Sequence, residues 1–369
     1  MRDYEETSYR AVQNLLINCA HGEPGQSLLI VHEASDEGYY DPQLPGLIGR
    51  KATNIGFSVD FCCIPFDENV KDPSPYLNNR IANFDHTLFL ARLGDQIRFR
   101  PNIGAGNRII SYILDRDMLV SDFGIVDYNG FEALKKVINT AIAKADNIRV
   151  TCPAGTDFQG FISNPEQEVV DVMVKRFPMS VFTPAPTLNF EGRIAQLGFL
   201  TGTGSQYYKP YACEISETLY VEFEGNKISG FKGSKGDIAA AEKHYEFVAK
   251  KYGIDPYFIH SWHAGIHPGC NFPFAASESF ERWSGGAFGN PRLLHFHSCG
   301  KYPPGEISLN MADPSIALDD VAIWENGVLY PERVLGGREV FDQFPSLKAA
   351  FQSPARQIGL GKDGRLSFS

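Results

Sequence analysis

Five of the nine histidines in this chain lie close together in the sequence, and histidine is the side chain that most often binds transition metals. They are His260, His263 and His267 in IHSWHAGIHPGC (259–270), and His295 and His297 in LLHFHSCG (293–300). Such clustering indicates a metal site, because polar groups with adjustable charge concentrate at functional sites. The alternative interpretation is a set of ordinary hydrogen-bonded histidines in polar strands.

Strand geometry decides which of these rings can meet. Alternate residues of a strand share a face, so His295 and His297 point the same way, whereas His260 and His263 point apart if their segment is extended. We therefore predict metal ligands among His263, His295, His297 and Glu306, with His260 as a further candidate.

The predicted ligand set fits more than one metal. Two imidazoles and one carboxylate form the facial set of ferrous oxygenases, whereas three protein ligands with an open position also suit catalytic zinc. Fe(II) is the first expectation for the cofactor, zinc or cobalt is the alternative, and a protein without a metal is the third case.

Four further residues are predicted to act on a substrate. Arg92 ends the predicted strand HTLFLAR, and the carboxyl ends of strands line the ligand crevice of an open α/β sheet. Arg176 lies near the predicted domain boundary, and the planar guanidinium of each arginine suits a carboxylate. Asp157, in GTDFQG, either orients a ligand or caps the next segment, and Gln159 is a candidate substrate contact. For both arginines the alternative is an ordinary ion pair.

The first half of the chain alternates predicted strands and helices. Strands are predicted at 27–33, 57–66, 86–92 and 148–155, and helices at 1–20, 43–55, 75–83, 107–115 and 131–146. This alternation predicts an α/β domain of Rossmann-like type with an open, mostly parallel sheet.

The second half of the chain has a different pattern of predicted elements. A hairpin is predicted at 217–233 and a helix at 239–253, followed by several strands that favour a mostly antiparallel α+β domain. We place the boundary near 150–185 and divide the chain into domains of residues 1–165 and 166–369, the second carrying the metal and substrate site. The glycine- and serine-rich end, 353–369, is predicted to be a loose tail.

Composition excludes several classes of protein. The chain has 369 residues, which exceeds one compact core, and 43% hydrophobic and 21% charged residues are ordinary for a soluble protein. A net charge of −10 argues against binding to nucleic acid or to an anionic membrane. The polar, acidic start MRDYEETSYR is not a secretory signal, and no apolar run approaches ~20 residues. We predict a cytoplasmic protein whose seven cysteines are reduced.

Five segments, in this order, resemble segments of the aminopeptidase T-like metallopeptidases and of 2,5-dihydroxypyridine dioxygenase. They are ADNIRVTCPAGTDFQGFI (145–162), RFPMSVFTPAP (176–186), HAGIHPG (263–269), GNPRLLHFHSCG (289–300) and IALDDVAIWENGVLY (316–330). The resemblance implies an N-terminal α/β domain, a C-terminal catalytic domain and assembly as a dimer or larger homo-oligomer. It also implies two metals in the peptidases, and in the dioxygenase one ferrous ion held by two histidines and an aspartate.

The ligand positions of those relatives are not intact in this chain. The first peptidase glutamate falls on Ser180, and the histidine-x-aspartate pair of the dioxygenase falls on Glu306 and Ser308. The remaining ligand positions fall near Ser261 and Phe296, each flanked by histidines, and two catalytic histidines of the dioxygenase fall near Arg92 and Arg176. Either a different metal site has been assembled from neighbouring residues, or the metal has been lost.

The expected function is therefore a metal-dependent enzyme. The first hypothesis is a mononuclear non-haem iron oxygenase, similar to 2,5-dihydroxypyridine dioxygenase, that acts on a small carboxylate-bearing aromatic or peptide-like substrate. The second is a metallo-aminopeptidase of the aminopeptidase T type. The third is a non-catalytic member that binds a peptide or small molecule in a biosynthetic pathway.

Overall fold

The computed structural model describes residues 3–100, 106–163, 174–196 and 198–361. The chain forms two compact units, one of Met1–Glu132 with Asp171–Met179 and one of Ala133–Val170 with Ser180–Ser369. The division at 165/166 stays a prediction. Within the described residues, no helix combines the length and the apolar character that crossing a membrane requires.

The first unit contains a five-stranded sheet in which every neighbouring pair is parallel, in the order β2-β1-β3-β4-β7. Its strands are β1 (Ser27–Glu33), β2 (Ser58–Ile64), β3 (His86–Leu90), β4 (Asn107–Ser111) and β7 (Lys175–Phe177). The helices of this unit are α1 (Tyr4–Gln13), α2 (Leu44–Ile55), α3 (Pro75–Ala82), α4 (Leu93–Gln96), α5 (Arg116–Val120) and α6 (Asp122–Ile125). The apolar strand β3 is buried at every position, as expected for a strand covered on both faces. The predicted open parallel sheet is confirmed.

Two predictions about this region are wrong in part. Residues 107–115 were expected to be helical, but Asn107–Ser111 forms β4, which pairs with β3 and β7. Periodicity cannot separate a short apolar run in a strand from one in a helix, and the two neighbouring strands decide the outcome here. The strand predicted at 148–155 exists over Ile148–Thr151, but it belongs to an antiparallel sheet of the second unit.

The second unit contains a six-stranded and an eight-stranded sheet, both built from antiparallel pairs. The six-stranded sheet has the order β11-β10-β16-β15-β14-β8, and the eight-stranded sheet the order β13-β12-β9-β6-β5-β17-β18-β19. The strands are β5 (Ile148–Thr151), β6 (Asp157–Gly160), β8 (Ala185–Pro186), β9 (Phe190–Gln196), β10 (Phe199–Thr201), β11 (Ala212–Glu214), β12 (Leu219–Glu224), β13 (Lys227–Lys232), β14 (Ile259–Ala264), β15 (Leu293–Cys299), β16 (Glu306–Ala312), β17 (Ser315–Leu318), β18 (Val321–Glu325) and β19 (Val328–Leu329). The helices are α7 (Tyr128–Lys144, mostly in this unit), α8 (Lys235–Tyr252), α9 (Phe280–Gly286), α10 (Gly337–Gln343) and α11 (Pro345–Gln352).

An aromatic layer packs the two sheets of this unit against each other. The ring of Phe158, on β6, lies 5.6 Å from that of Trp262 on β14 and 5.2 Å from that of Phe296 on β15. All three side chains are buried, and aromatic pairs in edge-to-face contact contribute beyond the area that they bury. Because side chains alternate along a strand, the residues flanking Trp262 and Phe296 face away from this layer.

The end of the described chain is not loose, contrary to the prediction. The amide of Ala355 donates to the carbonyl of Pro268 at 2.7 Å, and the indole of Trp283 donates to the carbonyl of Ile358 at 2.6 Å. These bonds tie residues 353–361 across the segment that precedes β15. The predicted tail beyond residue 361 lies outside the described residues.

Candidate metal centre

Two antiparallel strands place three histidines on one sheet face. In the pairing of β14 with β15, His263 lies opposite His295, and Ser261 lies opposite His297. Trp262 and Phe296 alternate with them and face the aromatic layer, so the histidines occupy the other face of the sheet. The apolar and polar positions of two short segments thus set the direction of all three imidazoles.

The three rings converge through their Nε2 atoms. Nε2 of His263 lies 2.7 Å from Nε2 of His295 and 3.2 Å from Nε2 of His297. One ligand atom from each residue lies within 4.8 Å of the other two. His263 and His295 are buried, whereas 12% of the His297 side chain is exposed.

Two outer contacts fix which nitrogen faces the centre. Nδ1 of His263 lies 2.9 Å from the backbone carbonyl of Phe182, and a carbonyl oxygen can only accept a hydrogen bond. Nδ1 of His297 lies 2.9 Å from Oε1 of Glu306, a buried carboxylate. Both rings therefore carry their proton on Nδ1 and turn the lone pair of Nε2 inward, the arrangement that outer partners impose on metal ligands.

The donor set fits a metal ion. With its proton on Nδ1, His263 offers the lone pair of Nε2 either to an Nε2–H of His295 at 2.7 Å or to a cation shared by the three rings. Imidazole nitrogens bind zinc at about 2.0–2.1 Å, which places two ligands of a tetrahedral site roughly 3.3 Å apart. The observed separations need only a small outward movement to reach that geometry.

His260 is displaced from the simple alternation by a β-bulge. The pairing of β14 with β15 shifts register between Ile259 and Ser261, so two residues of β14 oppose one of β15. Nδ1 of His260 lies 2.9 Å from the hydroxyl of Ser261, and its ring lies 5.8 Å from that of Tyr302. Burial, with smaller contributions from His297 and Lys301, lowers the pKa of His260 to about 4, so the ring is neutral at pH 7.

Asp157 and Gln159 are not brought to the histidines. They flank Phe158 on β6, and because Phe158 points into the aromatic layer, both side chains point to the outer face of the eight-stranded sheet. They line a polar groove of about 600 Å³ there, and Arg149 donates to Asp157 at 3.0 Å. Their predicted roles remain predictions, and the geometry shows a surface ion pair for Asp157 rather than an orienting carboxylate at the centre.

The two predicted arginines belong to the first unit, and both side chains have partners there. Arg92 forms a buried ion pair with Glu33 at 2.8 Å and a second with Glu37 at 3.2 Å. Its guanidinium also lies 3.5 Å from the centre of the Phe66 ring. Arg176 forms a side-chain hydrogen bond with Tyr112. Substrate binding by Arg92 and Arg176 remains a prediction; the observed contacts of Arg92 are those of a structural ion pair, the alternative that the sequence left open.

Three contributions to the site were not predicted. The carbonyl of Phe182 orients His263 from 81 positions away, and backbone oxygens leave no signal in a sequence. The ring of Phe288 stacks on His295 with centroids 4.1 Å apart, and Tyr302 packs against His260. The aromatic residues near the histidines were the available signal, but their partners depend on how the loops fold.

Comparison with solved structures shows which fold this chain has. No family model and no curated protein matches the chain. The structure of 2,5-dihydroxypyridine dioxygenase from Pseudomonas putida KT2440 is similar over 90% of this chain and 99% of its own, with a TM-score of 0.59 and 14% sequence identity. Wild-type AmpT from Thermus thermophilus is similar over 88% of this chain and 99% of its own, with a TM-score of 0.48 and 11% identity. The chain thus shares the fold of the dioxygenase.

Proposed function

We propose that this protein is a metal-dependent enzyme with a mononuclear centre held by His263, His295 and His297. The observation that carries the proposal is the convergence of three buried or nearly buried Nε2 atoms on one point. Two of these rings are locked in the tautomer that a metal ligand needs.

In this proposal Glu306 supports the centre and is not a ligand. Its Oε1 contacts Nδ1 of His297, which is the nitrogen that faces away from His263 and His295. The ligand set is then three neutral imidazoles, in place of the two imidazoles and one carboxylate considered from the sequence. Ser308, opposite His297 in the pairing of β15 with β16, donates to Asn310 at 2.8 Å.

The residues around the centre hold it and limit water. A metal bound by three histidines keeps open positions, where Fe(II) would activate oxygen and Zn(II) would lower the pKa of water. Phe288 covers His295 by stacking, and Phe182 packs edge-on against His263 at 6.2 Å while its carbonyl fixes the ring. Of the three histidines, His297 is the most exposed, and its side is the proposed point of access.

The shared fold with 2,5-dihydroxypyridine dioxygenase favours an Fe(II) oxygenase as the activity. A zinc hydrolase is the second candidate, because a three-histidine set with an open position is also that of a catalytic zinc site. A two-metal aminopeptidase is less well supported, since serine occupies position 180, where the first glutamate ligand of that group falls.

Metal analysis of the protein purified without chelator tests the proposal. We expect close to one equivalent of metal in the parent protein and in a His21→Asn control, since His21 is exposed and distant in sequence from the cluster. A His263→Ala, His295→Ala double variant should lose it. Iron supports the oxygenase and zinc the hydrolase. A parent protein that binds no metal after loading with Fe(II), Zn(II) and Co(II) would refute the proposal and leave the non-catalytic alternative.

A further inference from the structure

One edge of the three-histidine centre is accessible, and the chain lines that edge with two flat rings and a cation. His263 and His295 are 4% and 3% exposed, whereas 12% of the His297 side chain is exposed. The most exposed side of the centre is therefore that of His297, where a ligand would approach. The residues beside His297 determine which molecules can do so.

The β-bulge supplies the first of these residues. Two residues of β14 oppose one of β15 at the bulge, so the side chain of His260 does not follow the regular alternation of the strand. Nδ1 of His260 lies 2.9 Å from the hydroxyl of Ser261, and Ser261 lies opposite His297 in the pairing of β14 with β15. An imidazole at this point can exchange hydrogen bonds with a polar substituent of a ligand.

The loop between β15 and β16 supplies the other two. Tyr302 is partly buried and presents its ring to His260, edge to face, at 5.8 Å. The neighbouring Lys301 is exposed, and its Nζ lies 5.4 Å from the centre of the Tyr302 ring. The loop that carries Lys301 joins Cys299 to Glu306, which lie opposite each other in the pairing of β15 with β16, and Glu306 contacts His297.

The charge of Lys301 is not neutralised nearby. Within the described parts of the chain it forms no ion pair, and Glu306, the carboxylate that acts on the same edge, is held by His297. An ammonium beside aromatic rings at the entrance to a metal centre attracts an anionic ligand. The rings favour a flat ligand, because aromatic pairs gain contact energy beyond the area that they bury.

We propose that His260, Lys301 and Tyr302 form the substrate-binding edge of this centre, and that the substrate is a small planar aromatic carboxylate. Lys301 binds the carboxylate, Tyr302 packs against the ring, and His260 contacts a polar ring substituent. The inference rests on the proposed function, because it takes the three-histidine centre as the place of reaction. It assigns to Lys301 the role that the sequence assigned to Arg92 and Arg176.

Calorimetric titration with matched pairs of ligands tests this inference. The probes are benzoate and nicotinate against their neutral amides, benzamide and nicotinamide, added to the protein with and without Zn(II). Proteins to compare are the parent, Lys301→Met, Lys301→Arg, Tyr302→Ala and a Lys348→Met control, Lys348 being an exposed lysine on α11. Circular dichroism confirms that each variant is folded.

We expect the parent to bind at least one carboxylate about tenfold more tightly than its amide, a difference of one charge-assisted hydrogen bond. Lys301→Met should remove that preference, Lys301→Arg should largely restore it, and Lys348→Met should leave it unchanged. Tyr302→Ala should weaken the binding of the carboxylate and of the amide to the same extent, because it removes a ring contact and no charge.

The outcomes separate this inference from the proposed function. A parent protein that prefers neither carboxylate, or a preference that survives in Lys301→Met, overturns the substrate edge even if the metal is bound normally. A second outcome is that no metal binds but the metal-free protein still prefers the carboxylate in a Lys301-dependent way. This outcome supports the substrate-binding edge and refutes the proposal of a metal-dependent enzyme.

Discussion

Glu306→Gln is the substitution that tests most directly how the proposed metal centre is held. The carboxylate of Glu306 is 3% exposed, and its Oε1 lies 2.9 Å from Nδ1 of His297. A carboxylate in this position fixes the tautomer of the histidine and makes its other nitrogen a stronger ligand. Glutamine keeps the size and an oxygen acceptor but removes the charge. We expect metal affinity to fall about 10- to 100-fold, which is roughly 1.4–2.8 kcal/mol.

Competition with a chromophoric chelator measures this change. Zn(II), and Fe(II) without oxygen, are titrated into the parent protein, Glu306→Gln and a Glu339→Gln control, whose substituted side chain is exposed on α10. The control should bind metal like the parent. Thermal unfolding of the metal-free proteins shows whether the variant is intact, because bound metal raises the melting temperature by mass action.

Two results would refute the reasoning. Unchanged affinity in Glu306→Gln would mean that the contact with Nδ1 of His297 does not tune the ligand. Loss of binding as complete as in His263→Ala would mean that Glu306 binds the metal itself. The second result would restore the facial set of two histidines and one carboxylate.

Two further predictions concern charges and protons elsewhere in the fold. Arg92→Met should destabilise the protein by about 3–5 kcal/mol in urea unfolding, because it leaves the buried carboxylate of Glu33 unpaired. Adding Glu33→Gln to this variant should recover part of the lost stability. If Arg92 served only to bind substrate, Arg92→Met would leave the free energy of unfolding unchanged. His244, whose pKa burial lowers from 6.5 to about 4, contributes stability above pH 6.5 that is lost as the pH falls towards 4, since protonation favours the unfolded chain. His244→Gln should reduce the pH dependence of the unfolding free energy in this range by up to about 1.4 kcal/mol per pH unit, and an unchanged slope would contradict the prediction.

The parallel sheet of the first unit could be predicted because its strands carry the signal themselves. β1 and β3 each contain a fully buried apolar run, at 28–31 and 88–90, and such runs alternating with amphipathic helices indicate a covered parallel sheet. β4 could not be predicted, because its five residues fit either periodicity and only its two neighbours make it a strand.

The candidate site, like the fold, could be predicted from the sequence only in part. The i, i+2 spacing of His295 and His297 requires a shared face once the segment is a strand, and the sequence established that much. The bulge at His260 depends on how β14 is paired with β15, and alternation along one strand does not predict it. Asp157 and Gln159 looked equivalent to the histidines as polar strand residues, but their strand turns Phe158 to the core and both of them outward.

The sequence by itself determined the donors, the parallel sheet and the resemblance to a metalloenzyme scaffold, because these depend on residue type and local spacing. The tertiary structure decided which donors meet, since His263 reaches His295 and His297 only through the pairing of two strands. It also decided which nitrogen each ring presents, through the Phe182 carbonyl and the Glu306 carboxylate. Contacts between residues far apart in sequence are set by packing, and no local pattern encodes them.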